Sequence, residues 1–169
     1  KYLDHLDLIF PLPIPPLQIL DVGCRAFDTY DWFLNKYNKR ILGIDVGKDG
    51  LEYCLKLKKP CFYCDAHILT QFFNPKTFDL VLAFHSLEHM FNIREVLRNI
   101  NSVLTTQGFL FLAIPIPSVN ERKGHWANIP NEAFMKELLL EAGFNKVLYE
   151  ETVDSKFRIA HEYVALVQK

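Results

Sequence analysis

Three aspartates stand where short apolar runs end. Asp21 closes Gln18-Ile19-Leu20, Asp45 closes Ile41-Leu42-Gly43-Ile44, and Asp65 closes Cys61-Phe62-Tyr63-Cys64. If these runs are neighbouring parallel strands, the three carboxylates fall along one sheet edge, where open α/β sheets bind ligands. A carboxylate after the second strand accepts from both hydroxyls of a ribose. One near the third strand accepts from an exocyclic adenine amine, and one at the first turn holds an ammonium. Singly, each Asp suits a helix N-cap or a turn. Together they favour a nucleoside-bearing ligand.

Three histidines add proton chemistry. His85 follows the apolar run Phe78–Phe84, His89 lies a helical turn on beside Glu88, and His125 precedes Trp126 in the longest connection. Imidazole titrates near neutral pH, so each is a candidate to take a proton from an oxygen or nitrogen nucleophile. For His89 the simpler reading is packing at a helix start, and for His125 a plain surface loop weighs as much as function. Cys61-x-x-Cys64 with His67 has metal-like spacing. In a strand, though, residues three apart point to opposite faces, so no metal is expected there. Cys24 and Cys54 read as small core residues.

The elements that would position these groups alternate. Strands are expected over 18–22, 40–45, 60–65, 78–84 and 108–114, the last stopped by Pro115. Helices are expected over 29–38, 49–59, 92–104 and 131–142. The helix at 92–104 is the clearest, because Ile93, Val96, Leu97, Ile100, Val103 and Leu104 repeat on one face. Asn92 and Glu95 give it a capping-box-like start, and Gly143 stops the later helix. Strands over 146–153 and 159–167 close the chain as a hairpin. Alternating strand and helix predict a mostly parallel sheet covered on both faces. One domain spans 1–169, with an arm over 1–17 stiffened by Pro11, Pro13, Pro15 and Pro16, and a long connection over 115–130 where a substrate lid is expected.

At 169 residues the chain is long enough for one stable core. Its 50% hydrophobic and 23% charged content is that of a soluble globular protein. A net charge of -1 gives no electrostatic footprint for nucleic acid or anionic membrane. Lys56, Lys58 and Lys59 read as a solvated helix end. No apolar run reaches the ~18–20 residues that cross a bilayer, and no signal peptide is read at the start. Four cysteines without such a signal point to a reducing, cytoplasmic setting. The oligomeric state is not readable.

Four stretches occur in a telling order: Ile19-Leu-Asp-Val-Gly-Cys24, Ile41-Leu-Gly-Ile-Asp45, Cys64-Asp-Ala66, and Phe78-Asp-Leu-Val-Leu-Ala-Phe-His-Ser-Leu-Glu-His89. The chain resembles the class I S-adenosylmethionine-dependent methyltransferases, most closely the small type 11 group, from Gln18 to its end. Phe134–Phe144 is similar to that group's late helix. The resemblance implies a Rossmann-like, doubly wound seven-stranded sheet with an antiparallel last strand. It implies S-adenosylmethionine as cofactor, S-adenosylhomocysteine as product, and a small-molecule methyl acceptor. It assigns Asp21 and the Gly23-Cys24-Arg25 turn to the methionyl part, Asp45 to the ribose with Val46 beside the adenine, Asp65 and Ala66 to the adenine, and Phe84, His85 and Ser86 to the pocket.

One departure divides the expectation. The group's first motif continues Gly-Cys-Gly-x-Gly, whereas this chain has Gly23-Cys24-Arg25-Ala26-Phe27. Glycine there permits close approach and unusual dihedrals. Arg25 is suited to fork onto the ligand's carboxylate. Equally, Arg25 and Phe27 are large enough to fill the pocket, which would leave a non-catalytic binding or regulatory protein. A nicotinamide-dependent oxidoreductase would need Gly-x-Gly-x-x-Gly, and Gly23 lacks both later glycines.

Overall fold

The computed structural model describes residues 3, 6, 17–117, 124–154 and 161–169. Most of the expected 1–17 arm, residues 118–123 of the long connection, and the first two positions of the expected last strand lie outside the described residues. Seven strands form one sheet: β1 Ile19–Val22, β2 Leu42–Asp45, β3 Cys61–Tyr63, β4 Phe78–Phe84, β5 Leu104–Ile116, β6 Lys146–Asp154 and β7 His161–Gln168. Their order is β3-β2-β1-β4-β5-β7-β6. β1 to β5 run parallel, and β7 is antiparallel to both β5 and β6. The expected doubly wound sheet is therefore present, with β7 its single reversed strand.

The period-2 pleat divides the strand residues between two cores. Leu20, Val22, Val81 and Ala83 pack on one face with α3 (Leu69–Phe72), α4 (Ile93–Val103) and α5 (Glu132–Glu141). Ile19, Leu80 and Leu82 pack on the other with α1 (Asp28–Tyr37) and α2 (Lys48–Lys56), through Tyr30, Phe33 and Cys54. Because both faces are covered, β4 reads as a nearly continuous apolar run, interrupted only by Asp79.

The α4 start follows the sequence signal with one variation. The Asn92 side-chain oxygen accepts the Glu95 amide at 3.3 Å, while its Nδ2 donates to the Glu95 carboxylate at 3.1 Å. The Asn92 backbone N–H goes instead to His67 Nε2 at 3.3 Å. Asn131 caps α5 by accepting from the Phe134 amide at 2.9 Å, and Gly143 follows at φ +94°.

Two expectations are corrected. β5 begins earlier than expected and continues through Pro115 to Ile116. β4 ends opposite Ala113, so beyond that point β5 pairs only with β7, and a proline on such a one-sided stretch forfeits little of the ladder. Lys59 is not a solvated helix end. It is 6% exposed, and its ammonium donates to Ala26 O and Phe27 O, both at 3.1 Å, and to Asp31 Oδ2 at 2.7 Å.

Candidate functional site

The carboxyl ends of β1, β2 and β4 meet around one cavity. Its volume is about 560 Å³, and its wall includes Gly23, Arg25, Asp45, Val46, Asp65, Ala66, His85 and His89. That volume lies in the range of sites that enclose a cofactor-sized ligand.

The first turn is built by close approach. Gly23 and Cys24 both donate to Ile44 O, at 2.9 and 3.1 Å. Gly23 holds φ +76°, and a Cβ there would lie 2.4 Å from the Ser86 Cβ. Only glycine lets the turn after β1 pass the turn after β4 this closely. Arg25 and Phe27 then take φ 46° and 58°. The two positions that lack the expected glycines thus keep left-handed backbone, at a cost of about 1 kcal/mol each or somewhat more.

The turn's partners hold that shape. Cys54 Sγ donates to Arg25 O at 3.3 Å, and Lys59 binds the next two carbonyls. The Phe27 ring is fully buried and lies over β2 at Gly43, whose added Cβ would meet it at 2.8 Å. Phe27 therefore fills core, and Arg25 is exposed at the cavity wall.

The acidic residues take different positions. Asp45 Oδ2 accepts the Arg25 amide at 2.8 Å and Oδ1 the Gly47 amide at 2.6 Å. These bonds fix the carboxylate on the cavity wall and leave a lone pair on each oxygen. Asp65 accepts the His67 amide at 2.9 Å and lies 2.6 Å from His67 Nδ1. Despite desolvation, the His67 amide and ring hold Asp65 below the ordinary carboxylate range. Because His67 Nε2 accepts from Asn92, Nδ1 carries the hydrogen. The His67 ring stacks on Phe91 at 3.9 Å, and both line the cavity. Asp21 lies beneath the first turn and outside the lining. It is 3% exposed and accepts from the Thr29 hydroxyl. Burial pushes its pKa up to about 7, against the Thr29 bond and with a further push from Asp45.

Two other expected residues also stand away from the wall. Cys24 is buried in the core on the α1 side, and Phe84 packs edge-on against Phe111 at 5.1 Å. Val46 and Ala66 are on the lining, as expected.

The three histidines gather on the β4 side. His85 leaves β4 at φ 50°, its Nδ1 3.7 Å from Glu88 Oε1 and its Nε2 3.8 Å from Glu162 Oε1. Glu88 chiefly raises the His85 pKa, against burial and helped by Glu162. His89 and His125 meet edge to face at 5.0 Å. Trp126 N and Ala127 N both donate to Glu88 O, tying the long connection to the 87–89 turn. Glu88 and Glu162 are the residues that sequence reasoning left without a role. An acidic residue at the head of the apolar run of β7 was the available signal for Glu162.

Comparison with known proteins agrees with this geometry. Residues 20–112 match the family described as Methyltransferase domain. No curated protein matches. Among solved structures, a SAM-dependent methyltransferase from Archaeoglobus fulgidus aligns with TM-score 0.76 and 18% identity, over 99% of this chain and 91% of that one. The 1,6-didemethyltoxoflavin-N1-methyltransferase of Burkholderia thailandensis, with bound 1,6-didemethyltoxoflavin and S-adenosylhomocysteine, aligns with TM-score 0.74 and 17% identity, over 99% and 74%. The [4+2]-cyclase SpnF aligns with TM-score 0.81 and 18% identity, over 98% and 78%. At these identities the likeness is one of fold. Among the described residues, no helix is long and apolar enough to cross a membrane.

Proposed function

The chain belongs to the methyltransferase domain family, and from that premise we propose that it binds S-adenosylmethionine in the cavity beside Gly23 and methylates a small-molecule acceptor. The observation that carries this reading is the open cavity itself. Phe27, large enough to fill it, is folded into the core over Gly43 instead. The residues present fit a nucleoside with an amino-acid arm. Asp45, fixed by two backbone amides, has lone pairs for the ribose hydroxyls. Asp65 is held ionised for an adenine amine. Ser86 Oγ is buried without a hydrogen-bond partner, next to the turn that would hold the amino-acid arm.

When bound, S-adenosylmethionine supplies a methyl group already activated on a sulfonium. The chain's own task is then alignment and exclusion of water. Arg25, at the wall, is assigned to the ligand's carboxylate, which a guanidinium grips through two parallel bonds. Asp21 acts from beneath by setting the turn through Thr29. His85, on the wall, is the group placed to take a proton from the acceptor, with Glu88 and Glu162 steadying the imidazolium that results.

Calorimetric titration of the purified chain with S-adenosylhomocysteine tests the reading. One site is expected, weakened at least tenfold by Asp45→Ala. No heat and no thermal shift at millimolar ligand would refute it.

A further inference from the structure

Beside the nucleoside wall lies a buried carboxyl with one oxygen that no hydrogen bond satisfies. Glu88 is 2% exposed, and its Oε2 has no hydrogen-bond partner. Its Oε1 stands 3.7 Å from His85 Nδ1 and 3.9 Å from His89 Nε2, both beyond hydrogen-bond reach. Leaving that oxygen buried and unpaired is costly.

The His89 ring sharpens the point. Its Nδ1 lies 2.7 Å from Gly124 O. A carbonyl only accepts, so Nδ1 carries the hydrogen and Nε2 is the ring nitrogen that faces Glu88. Metal-binding histidines are oriented in the same way, one ring nitrogen donating to a carbonyl while the other meets the ion. His125 completes the set. One ligand atom each from Glu88, His89 and His125 all lie within 4.8 Å of one another.

We propose that Glu88, His89 and His125 bind one divalent transition-metal ion at the edge of the cavity. Two imidazoles and a carboxylate are borderline donors that suit Zn²⁺, Co²⁺ or Mn²⁺ better than Mg²⁺. Bonds of about 2.0–2.2 Å require the donors to close by an ångström or so. His89 is exposed and His125 half-buried, so neither ring is locked into core packing. Three protein donors leave positions open on the ion. Since His89 lines the cavity, those positions adjoin the space assigned to the acceptor. On the methyl-transfer reading, they would take an oxygen of the acceptor and make a hydroxyl there more acidic, which points to oxygen-bearing acceptors.

The second cluster of possible ligands, Cys24, Cys54 and Cys61, carries no such inference. Burial raises the Cys24 and Cys54 thiols, Cys54 to about 12, and a thiol binds metal as thiolate.

The test is titration of chelator-treated protein with Co²⁺, read by visible absorption. One equivalent is expected, with d–d bands of a nitrogen–oxygen site. His125→Ala, Glu88→Gln and His89→Ala should each weaken binding at least tenfold. Thermal melts of the metal-free variants report whether each is folded, and the half-buried loop residue His125 guards against failure at buried Glu88. No uptake at millimolar Co²⁺ overturns the proposal, as does uptake undiminished by His125→Ala in a folded protein. S-adenosylhomocysteine binding to metal-free protein is measured separately. Its failure would sink the cofactor reading and leave the cobalt result standing.

Discussion

Replacing Lys59 by Met tests whether the first turn is held from below. The ammonium makes three charge-assisted bonds: to Ala26 O and Phe27 O at 3.1 Å, and to Asp31 Oδ2 at 2.7 Å. Breaking a buried pair by removing one partner costs about 3–5 kcal/mol. The Asp31 side chain is half exposed and regains water, and Phe27 O keeps the Tyr30 amide at 3.2 Å. Both facts argue for the lower end, about 3 kcal/mol. For a chain of this size that is a fall in Tm of roughly 6–12 °C. Urea unfolding should show a lower midpoint at unchanged slope, since the surface exposed on unfolding hardly changes. The same variant should lose affinity for S-adenosylhomocysteine, because the turn delivers the Arg25 amide that fixes Asp45. A midpoint within about 0.5 kcal/mol of the parent would refute the reasoning, for the left-handed turn would then stand without its clamp.

Three further substitutions probe neighbouring parts of the site. Gly23→Ala places a Cβ 2.4 Å from the Ser86 Cβ at φ +76°, so unfolding measurements should show a loss of at least about 2 kcal/mol. A loss under half of that would mean the two turns slide apart freely. Arg25→Gly relieves a left-handed non-glycine residue, and stability should rise by about 1 kcal/mol. Its affinity for S-adenosylhomocysteine should meanwhile fall about tenfold, with methylthioadenosine, which lacks the amino-acid arm, unaffected. Equal losses for both ligands would contradict the carboxylate role. Asp21 has its pKa raised from 3.8 to about 7. Between those values the native state keeps a proton that the unfolded state has released, so stability falls as pH rises from about 4 to 7, by on the order of 4 kcal/mol. Asp21→Asn should flatten that limb in urea unfolding followed against pH. Parallel profiles for parent and variant would refute the burial argument.

The fold was legible because both kinds of period were clean. β4, Asp79 apart, and β5 from Gly108 onward read as apolar runs because both sheet faces are covered, and α4 repeated its apolar residues on one face. Asn92, Asn131 and Gly143 announced helix ends through short-range chemistry, which sequence carries directly. The site was only half legible. Asp45, Val46, Asp65, Ala66 and His85 reach the cavity because each ends a strand or lies in the turn that follows one. Asp21 and Cys24 precede or flank the turn's reversal, and their side chains go down instead. Glu88 meets His125 across 37 positions, and Lys59 meets Phe27 across 32. No local pattern encodes such meetings. They exist only once β1, β2 and β4 lie side by side.

The replaced glycines bear on function through that same distinction between local and distant causes. Gly-x-Gly-x-Gly specifies a left-handed turn locally, by removing the penalty for positive φ. In this chain Arg25 and Phe27 adopt positive φ against their preference, so the shape must be imposed from outside. The agents are identifiable. Cys54 takes the carbonyl at 25 and Lys59 those at 26 and 27. Gly43 in β2 leaves room for the Phe27 ring, which adds core contact that a glycine would lack. A turn specified by its supports keeps the backbone geometry that cradles a nucleoside, and it frees position 25 to carry a guanidinium into the cavity. Loss of the glycines is therefore a change in what holds the turn, and Arg25→Gly with Lys59→Met separates the two contributions. If the supports do the holding, Lys59→Met should be markedly less destabilising in the Arg25→Gly background. Additive losses would instead place the turn's shape elsewhere.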